Sequence, residues 1–299
     1  MSQTTPKLSI IVPSYNQGEY IEETILSIIN QDYPGKELII IDGGSTDNSV
    51  EIIKKYEQHI AYWVSEKDEG QAHAINKGFE RATGDYIAWM NSDDTYYENA
   101  FAKIFSLSGI EQYDFIFGGV QVGSHPAESI YFGRNKNKKL TLYNLLHFFY
   151  SPDYIIPSQS VFVRKAFIEK KQIGFLNNDC HYCMDMEWYC RIALADSKCF
   201  VYDEALSFFR KNDTTKTGSQ KIKMHQEAIE IFYKYKGYLN EKQQQRLFNL
   251  LFLDKLLRLI YKKKSRVSIG KLFKIISKIP AEALNDKRFL GVCRKSLFA

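Results

Sequence analysis

The sequence predicts an α/β protein: a mostly parallel, Rossmann-like sheet with flanking helices and a C-terminal helical extension. Three observations carry this. The strand candidates are continuously apolar rather than alternating, as strands buried on both faces are. They alternate with amphipathic helix candidates at least four times, which calls for right-handed β-α-β crossovers. Each apolar run ends in polar or acidic residues, and such crossovers gather these on one rim beyond the carboxyl ends of the strands.

Leu8 to Val12 is the first strand, closed by Pro13 and the turn Ser14-Tyr15-Asn16-Gln17-Gly18. A helix follows with Ile21, Ile25, Ile28 and Ile29 inward and Glu22 and Glu23 at its positive end. Leu38 to Ile41 is a second strand, ended by Asp42-Gly43-Gly44-Ser45-Thr46-Asp47. Asp47 or Asn48 caps the next helix. Ile60 to Val64 is a third strand, running into Lys67-Asp68-Glu69-Gly70, and Gln71 to Arg81 is a helix. The fourth apolar run, Ile87 to Met90, stops at Asn91-Ser92-Asp93-Asp94. Two adjacent like charges need a cation, a ligand hydroxyl or water to stay ionised. A hard divalent metal bridging to a phosphate fits them, and so does an Asp-rich turn that caps a helix. A helix near Ala100 to Leu107 and a strand at Phe115 to Phe117 follow. Thereafter the pattern loosens. Strands are expected at Val161 to Val163 and Phe200 to Tyr202, a helix at Cys183 to Ala195, and helices at 221–236, 241–263, 268–278 and 281–289.

The 299 residues are 44% apolar and 25% charged, the composition of a soluble globular protein. No uninterrupted apolar run approaches the ~20 residues of a spanning helix. No secretory leader is legible in residues 1–7, so the five cysteines read as free thiols in a reducing cytoplasm. A zinc site at Cys180-His181-Tyr182-Cys183 lacks a matching second pair of ligands, and small buried hydrophobes are the alternative. The net charge of +5 is uneven: Lys255 to Lys278 holds nine Lys or Arg and no acid.

Three ordered motifs, Ile10-Ile11-Val12-Pro13-Ser14-Tyr15-Asn16, Ile41-Asp42-Gly43-Gly44-Ser45-Thr46-Asp47 and Asn91-Ser92-Asp93-Asp94, make the chain resemble a family 2 glycosyltransferase of the GT-A fold over about residues 7–212. The resemblance implies transfer of a sugar, with inversion, from a nucleotide diphosphate sugar to a glycan or lipid-linked acceptor in bacterial surface polysaccharide synthesis, with Mn²⁺ or Mg²⁺ on the diphosphate. It implies a catalytic domain over 1–220, divided into a nucleotide-sugar half (1–118) and an acceptor half (119–220), and a basic helical region over 221–299.

Residue by residue, the resemblance puts Pro13, Tyr15, Asn16, Asp42, Asp68, Asn76 and Asp93 on the nucleotide sugar. Tyr15 offers a face for base stacking, worth ~1–3 kcal/mol, or plugs a turn. Asp42 could accept the N3–H of a uracil, or form an Asx turn before Gly43-Gly44. Asp93 becomes the ribose contact and Asp94 the metal ligand. Inversion needs a base beside the acceptor hydroxyl. Met184-Asp185-Met186-Glu187-Trp188 resembles the family's late acidic motif, which makes Asp185 the base. Ser158, Gln159, Glu187 and Trp188 fall on the acceptor side; a first-turn Asp also suits a helix dipole, and Trp188 suits a core. Arg210 matches a late Arg-X-His, a candidate phosphate contact, although the third position here is Asn212. The tail from 247 to 278 pairs apolar stripes with a basic face, which suits an anionic membrane surface or a packed helical bundle. A nucleotidyltransferase would want a basic Gly-rich loop after the first strand, and Ser14 to Gly18 has no Lys or Arg. A non-catalytic carbohydrate-binding protein would have no need of Asp93, Asp94 and Asp185 together.

Overall fold

A computed structural model describes residues 5–132, 139–147, 156–211 and 220–248. Its centre is a nine-stranded sheet. The first four long strands are β1 (Leu8–Ser14), β2 (Lys36–Asp42), β3 (Tyr62–Ser65) and β4 (Tyr86–Trp89). They lie in the order β3-β2-β1-β4, all parallel. Between them run α1 (Ile21–Ile29), α2 (Ser49–Lys55) and α3 (Gln71–Arg81). Every residue of β1 and β4 is buried, which is why their sequences read as unbroken apolar runs.

β1 runs one residue past the expected stop at Pro13. Pro13 pairs with Ile41 of β2, but it lies beyond the last β1–β4 pair, Ile11 with Trp89. Its missing N–H therefore forfeits no ladder bond.

The second half of the sheet mixes directions. It holds β5 (Thr95–Tyr96), β6 (Phe115–Gly123), β7 (Ile130–Phe132), β8 (Val161–Arg164) and β9 (Cys199–Arg210). β8 inserts antiparallel between β4 and β6, and β9 runs parallel to β6 and antiparallel to β5. The long ladders remain parallel: seven residue pairs join β1 to β2, against two or three in each antiparallel ladder. β6 crosses the 118/119 divide expected between the halves. The short strand expected at 200–202 is instead a twelve-residue β9.

Both faces of the parallel block are covered. Leu8, Ile10, Val12, Tyr86, Ala88 and Met90 pack under α1, α2 and α4 (Ala100–Phe105). On the other face α3 approaches so closely that a Cβ on Gly78 would sit 2.4 Å from Ile11 Cγ2. Beyond these lie α5 (Leu142–His147), α6 (Lys165–Lys170), α7 (Met184–Leu194) and α8 (Lys221–Tyr235).

The chain divides into two compact units, residues 1–145 with 153–227, and residues 146–152 with 228–299. The division falls inside α8, at Glu227. In the second unit α8 buries Ala228, Ile231, Phe232 and Tyr235, and a further helix covers 241–248. Asn212 and the basic tail beyond 248 lie outside the described residues. No helix among the described residues is long and apolar enough to cross a membrane.

Candidate active site

The carboxyl ends of β1 and β4 open into a cavity of about 480 Å³ within the first unit. Sequence reasoning placed fourteen residues at the site, and this cavity brings seven of them together. Pro13 and Tyr15 come from the end of β1, and Tyr15 stands 61% exposed at the rim. Asp68 enters from the loop after β3, where its Oδ1 accepts the Gly70 N–H at 2.8 Å. That loop closes tightly: a Cβ on Gly43 would meet Asp68 Oδ2 at 2.6 Å, and Gly70 takes φ +115°. Asp93 follows β4, Ser158 and Gln159 precede β8, and Asp185 lies in the first turn of α7.

The two adjacent carboxylates stand in different surroundings. Asp94, expected as the metal ligand, is fully buried and does not line the cavity. Its Oδ1 accepts the backbone N–H of Arg210 at 2.8 Å. Its Oδ2 accepts Gln159 Nε2 at 2.8 Å and Asn91 Nδ2 at 3.1 Å. Asp94 therefore ties the β4 turn to the end of β9. Burial, then the neighbouring Asp93 charge, push its carboxyl up to about 8. Asp93 faces the cavity, and burial raises its carboxyl as well.

Asp185 donates nothing and accepts the Met186 N–H at 2.8 Å. Burial first, with the Glu227 charge as a smaller contributor, pushes its carboxyl up to about 6. A carboxylate with that value is a stronger base than an exposed one and is still largely ionised at neutral pH.

The other expected site residues are engaged elsewhere. Asp42 has no exposure. Its carboxylate caps the strand end, accepting Ser45 N–H (2.8 Å), Ser45 Oγ–H (2.5 Å) and Ser65 Oγ–H (2.7 Å), which is the Asx-turn alternative. Asn16, at φ 51°, uses Oδ1 to accept the Thr46 N–H and so joins the loops after β1 and β2. Asn76 brackets Leu176, donating to its carbonyl and accepting its N–H, each at 2.9 Å. Glu187 is 1% exposed and pairs with Arg191 at 2.9 Å. Trp188 is fully buried against Trp89 and Phe79, its Nε1–H on the Gly174 carbonyl, so it is core rather than a platform. Arg210 holds the Asp93 carbonyl through Nε at 3.1 Å and pairs with Glu23. Its guanidinium stacks 5.1 Å from the Tyr20 ring centre. It braces the turn from behind rather than facing the cavity.

Sequence reasoning missed several wall residues. Ser14 is 4% exposed and lines the cavity, and its Oγ has no hydrogen-bond partner among the described residues. Gln71 enters from the start of α3, with Nε2 on Asn91 Oδ1 at 2.8 Å. His181 and Tyr182 form the wall beside Asp185. Only position in the motif could have flagged Ser14, and nothing local distinguishes the others.

Asp68, Asp93 and Asp185 share the wall, and among the described residues no Lys or Arg lines it. A diphosphate entering this cavity would meet carboxylates and no fixed positive charge. A hard cation at Asp93 fits that donor set. Among the described residues no group of three His, Cys, Asp or Glu could cage a metal alone. Substrate phosphate oxygens and water would complete the shell, as is usual for Mg²⁺. Cys180, Cys183 and Cys190 are buried, and among the described residues they join no such group.

Comparisons with known proteins bear on the family and the fold. The family model described as Glycosyl transferase family 2 matches residues 9–170. An uncharacterized glycosyltransferase of Rickettsia typhi is 28% identical over 97% of this chain and 89% of its own length. TuaG of Bacillus subtilis, a glycosyltransferase whose name assigns it provisionally to teichuronic acid biosynthesis, is 40% identical over 34% of this chain and 42% of its own. The chain thus spans less than half of that relative. Among solved structures, S. aureus TarS 1-349 in complex with UDP-GlcNAc superposes with a TM-score of 0.61 at 19% identity, over 93% of this chain and 82% of that one. The mannosyltransferase PcManGT of Pyrobaculum calidifontis, in complex with GDP-Man and Mn²⁺, gives 0.62 at 16% identity, over 99% and 88%. The fold is that of GT-A glycosyltransferases, and the chain belongs to glycosyl transferase family 2.

Proposed function

We propose that the protein is an inverting, cation-dependent glycosyltransferase that moves a sugar from a nucleotide diphosphate sugar, a UDP-sugar in the first instance, to a glycan or lipid-linked acceptor for the cell surface. One observation carries this reading. A single cavity joins an acid at the end of β4, Asp93, to an acid of separate origin at the start of α7, Asp185. The first suits the donor's diphosphate end, the second the acceptor hydroxyl. The names of TuaG and of the TarS and PcManGT complexes support a nucleotide-sugar donor and a surface-glycan product.

In this reading Tyr15, Pro13, Ser14 and Asp68 cradle the nucleoside end, and Ser158 meets sugar hydroxyls. Asp93 would hold Mn²⁺ or Mg²⁺, which when bound supplies charge neutralisation for the departing diphosphate. Asp94, Gln159 and Arg210 fix the turn that presents Asp93. The acceptor oxygen bonds to the anomeric carbon from the face opposite the diphosphate, and its proton passes to the Asp185 carboxylate. The anomeric C–O bond breaks, and its electron pair leaves with the diphosphate. A positioned base of this kind contributes about 10²–10⁴ in rate.

The test is a panel of nucleotide sugars, with and without Mn²⁺, read by thermal shift and by nucleotide diphosphate release. A donor at 100 times its Kd should add about 2.7 kcal/mol of stability. Asp93→Asn should abolish the Mn²⁺-dependent part of that shift. A chain that neither binds nor turns over any nucleotide sugar would overturn the reading.

A further inference from the structure

The loop that leads into the helix of the proposed base is held by a residue far from it in sequence. α7 begins at Met184, and its N-cap residue, Cys183, makes no side-chain cap. The helix itself gives no partner to the amides of His181, Tyr182 and Cys183, which run from the exposed surface to a buried position. Glu227, on α8, supplies one. Its Oε1 accepts the His181 N–H at 2.7 Å, and its Oε2 accepts the Tyr182 N–H at 2.7 Å and the Cys183 N–H. Three consecutive amides thus converge on one carboxylate. Two further contacts join the same elements. The Cys183 thiol reaches the Met224 carbonyl at 3.3 Å, and the Lys223 ammonium stands 5.9 Å from the Tyr182 ring centre. His181, Tyr182, Met184 and Asp185 all line the cavity.

We infer that Glu227 is a positioning residue for sugar transfer: it caps α7 from α8 and holds the His181–Cys183 loop so that Asp185 and the acceptor wall keep their places. This rests on the proposed role of Asp185. A carboxylate beside a helix N-terminus also suits the helix dipole. Asp185 interacts electrostatically with Glu227 from α8, with Cys183 just before its helix and with Tyr189 on it, while His181 and Asp93 line the same cavity. Of these, Glu227 is the acid that removes no machinery when neutralised.

Glu227→Gln keeps an acceptor oxygen for the amides but loses the charge; Glu227→Ala loses both. Each is compared with wild type in donor hydrolysis, with water as acceptor, across the UDP-sugar panel with Mn²⁺. Glu227→Ala should lower kcat by about 10- to 100-fold, the scale of a misplaced catalytic group, with the donor KM nearly unchanged. Glu227→Gln should recover most of that kcat and move the acid limb of the pH profile to lower pH. Amide hydrogen exchange should show lost protection at residues 181–183 in Glu227→Ala alone. Wild-type turnover with kcat and exchange unchanged in Glu227→Ala would overturn the clamp while leaving the base in place. Absence of turnover in wild type with every donor would overturn the base assignment, and the positioning role with it.

Discussion

In the proposed reading Asp185 trades stability for chemistry. Its carboxyl, raised from 3.8 to about 6, holds a proton in the folded chain between roughly pH 4 and 6, where the unfolded chain has lost it. Its contribution to folding is therefore complete below pH 4 and is lost as pH rises through 6. Above that, the ionised group is a cost of about 2 kcal/mol after discounting for partial exposure. Asp185→Asn should accordingly raise Tm at pH 8 and leave it little changed at pH 4, while lowering transfer by about 10²–10⁴. Wild-type turnover should fall as pH drops through 6. A Tm at pH 8 equal to or below wild type would show that Asp185 is not desolvated as described. Residue-scale reading from sequence reached the positions of Asp93, after a strand, and Asp185, in the first turn of a helix, which one cavity brings together. It failed where the role depends on a partner far along the chain. The amides that meet Glu227 lie 44 to 46 residues away, and the Asp94 partners Gln159 and Arg210 lie 65 and 116 away.

At the scale of elements, the parallel block was legible because burial on both faces leaves a continuous apolar signature in β1, β2 and β4. The mixed half was not. β9 passes through Asp203 and Glu204, so its apolar pattern breaks although its pairing with β6 continues to Arg210. β5 has only two residues, too few for any period. α7 illustrates the opposite trap: its acidic first turn and aromatic Trp188 both suggested an acceptor surface, yet one face of the helix is core. Phe79, Trp89 and Trp188 have ring centres 5.6–6.2 Å apart, joining α3, β4 and α7 beneath the cavity. Trp188→Ala should therefore cost about 3–5 kcal/mol in chemical denaturation. Trp188→Phe, which keeps most of the volume, should cost much less and preserve donor binding. An unfolding midpoint unmoved by Trp188→Ala would contradict that packing.

For the whole molecule, charge is distributed by region. The basic excess belongs to the tail, nine Lys or Arg between 255 and 278, and the cavity wall is acidic. Replacing Lys262, Lys263 and Lys264 by Glu should abolish flotation with phosphatidylglycerol vesicles if the tail meets an anionic surface, at about 1 kcal/mol for each basic residue near it. Donor hydrolysis should stay intact, because these residues are far in sequence from the wall. Flotation equal to wild type would dissociate the tail from the membrane. The acidic wall has a consequence of another kind. In the proposed reading, with no Lys or Arg of the described residues on that wall to meet a diphosphate, cation and nucleotide each supply the charge that the other lacks. Their binding must then be cooperative, and by thermodynamic linkage reciprocal: Mn²⁺ should tighten UDP by the same factor by which UDP tightens Mn²⁺, about 5- to 150-fold. Calorimetric titrations in both orders measure that factor, and two independent affinities would mean that the cavity draws its positive charge from elsewhere in the chain.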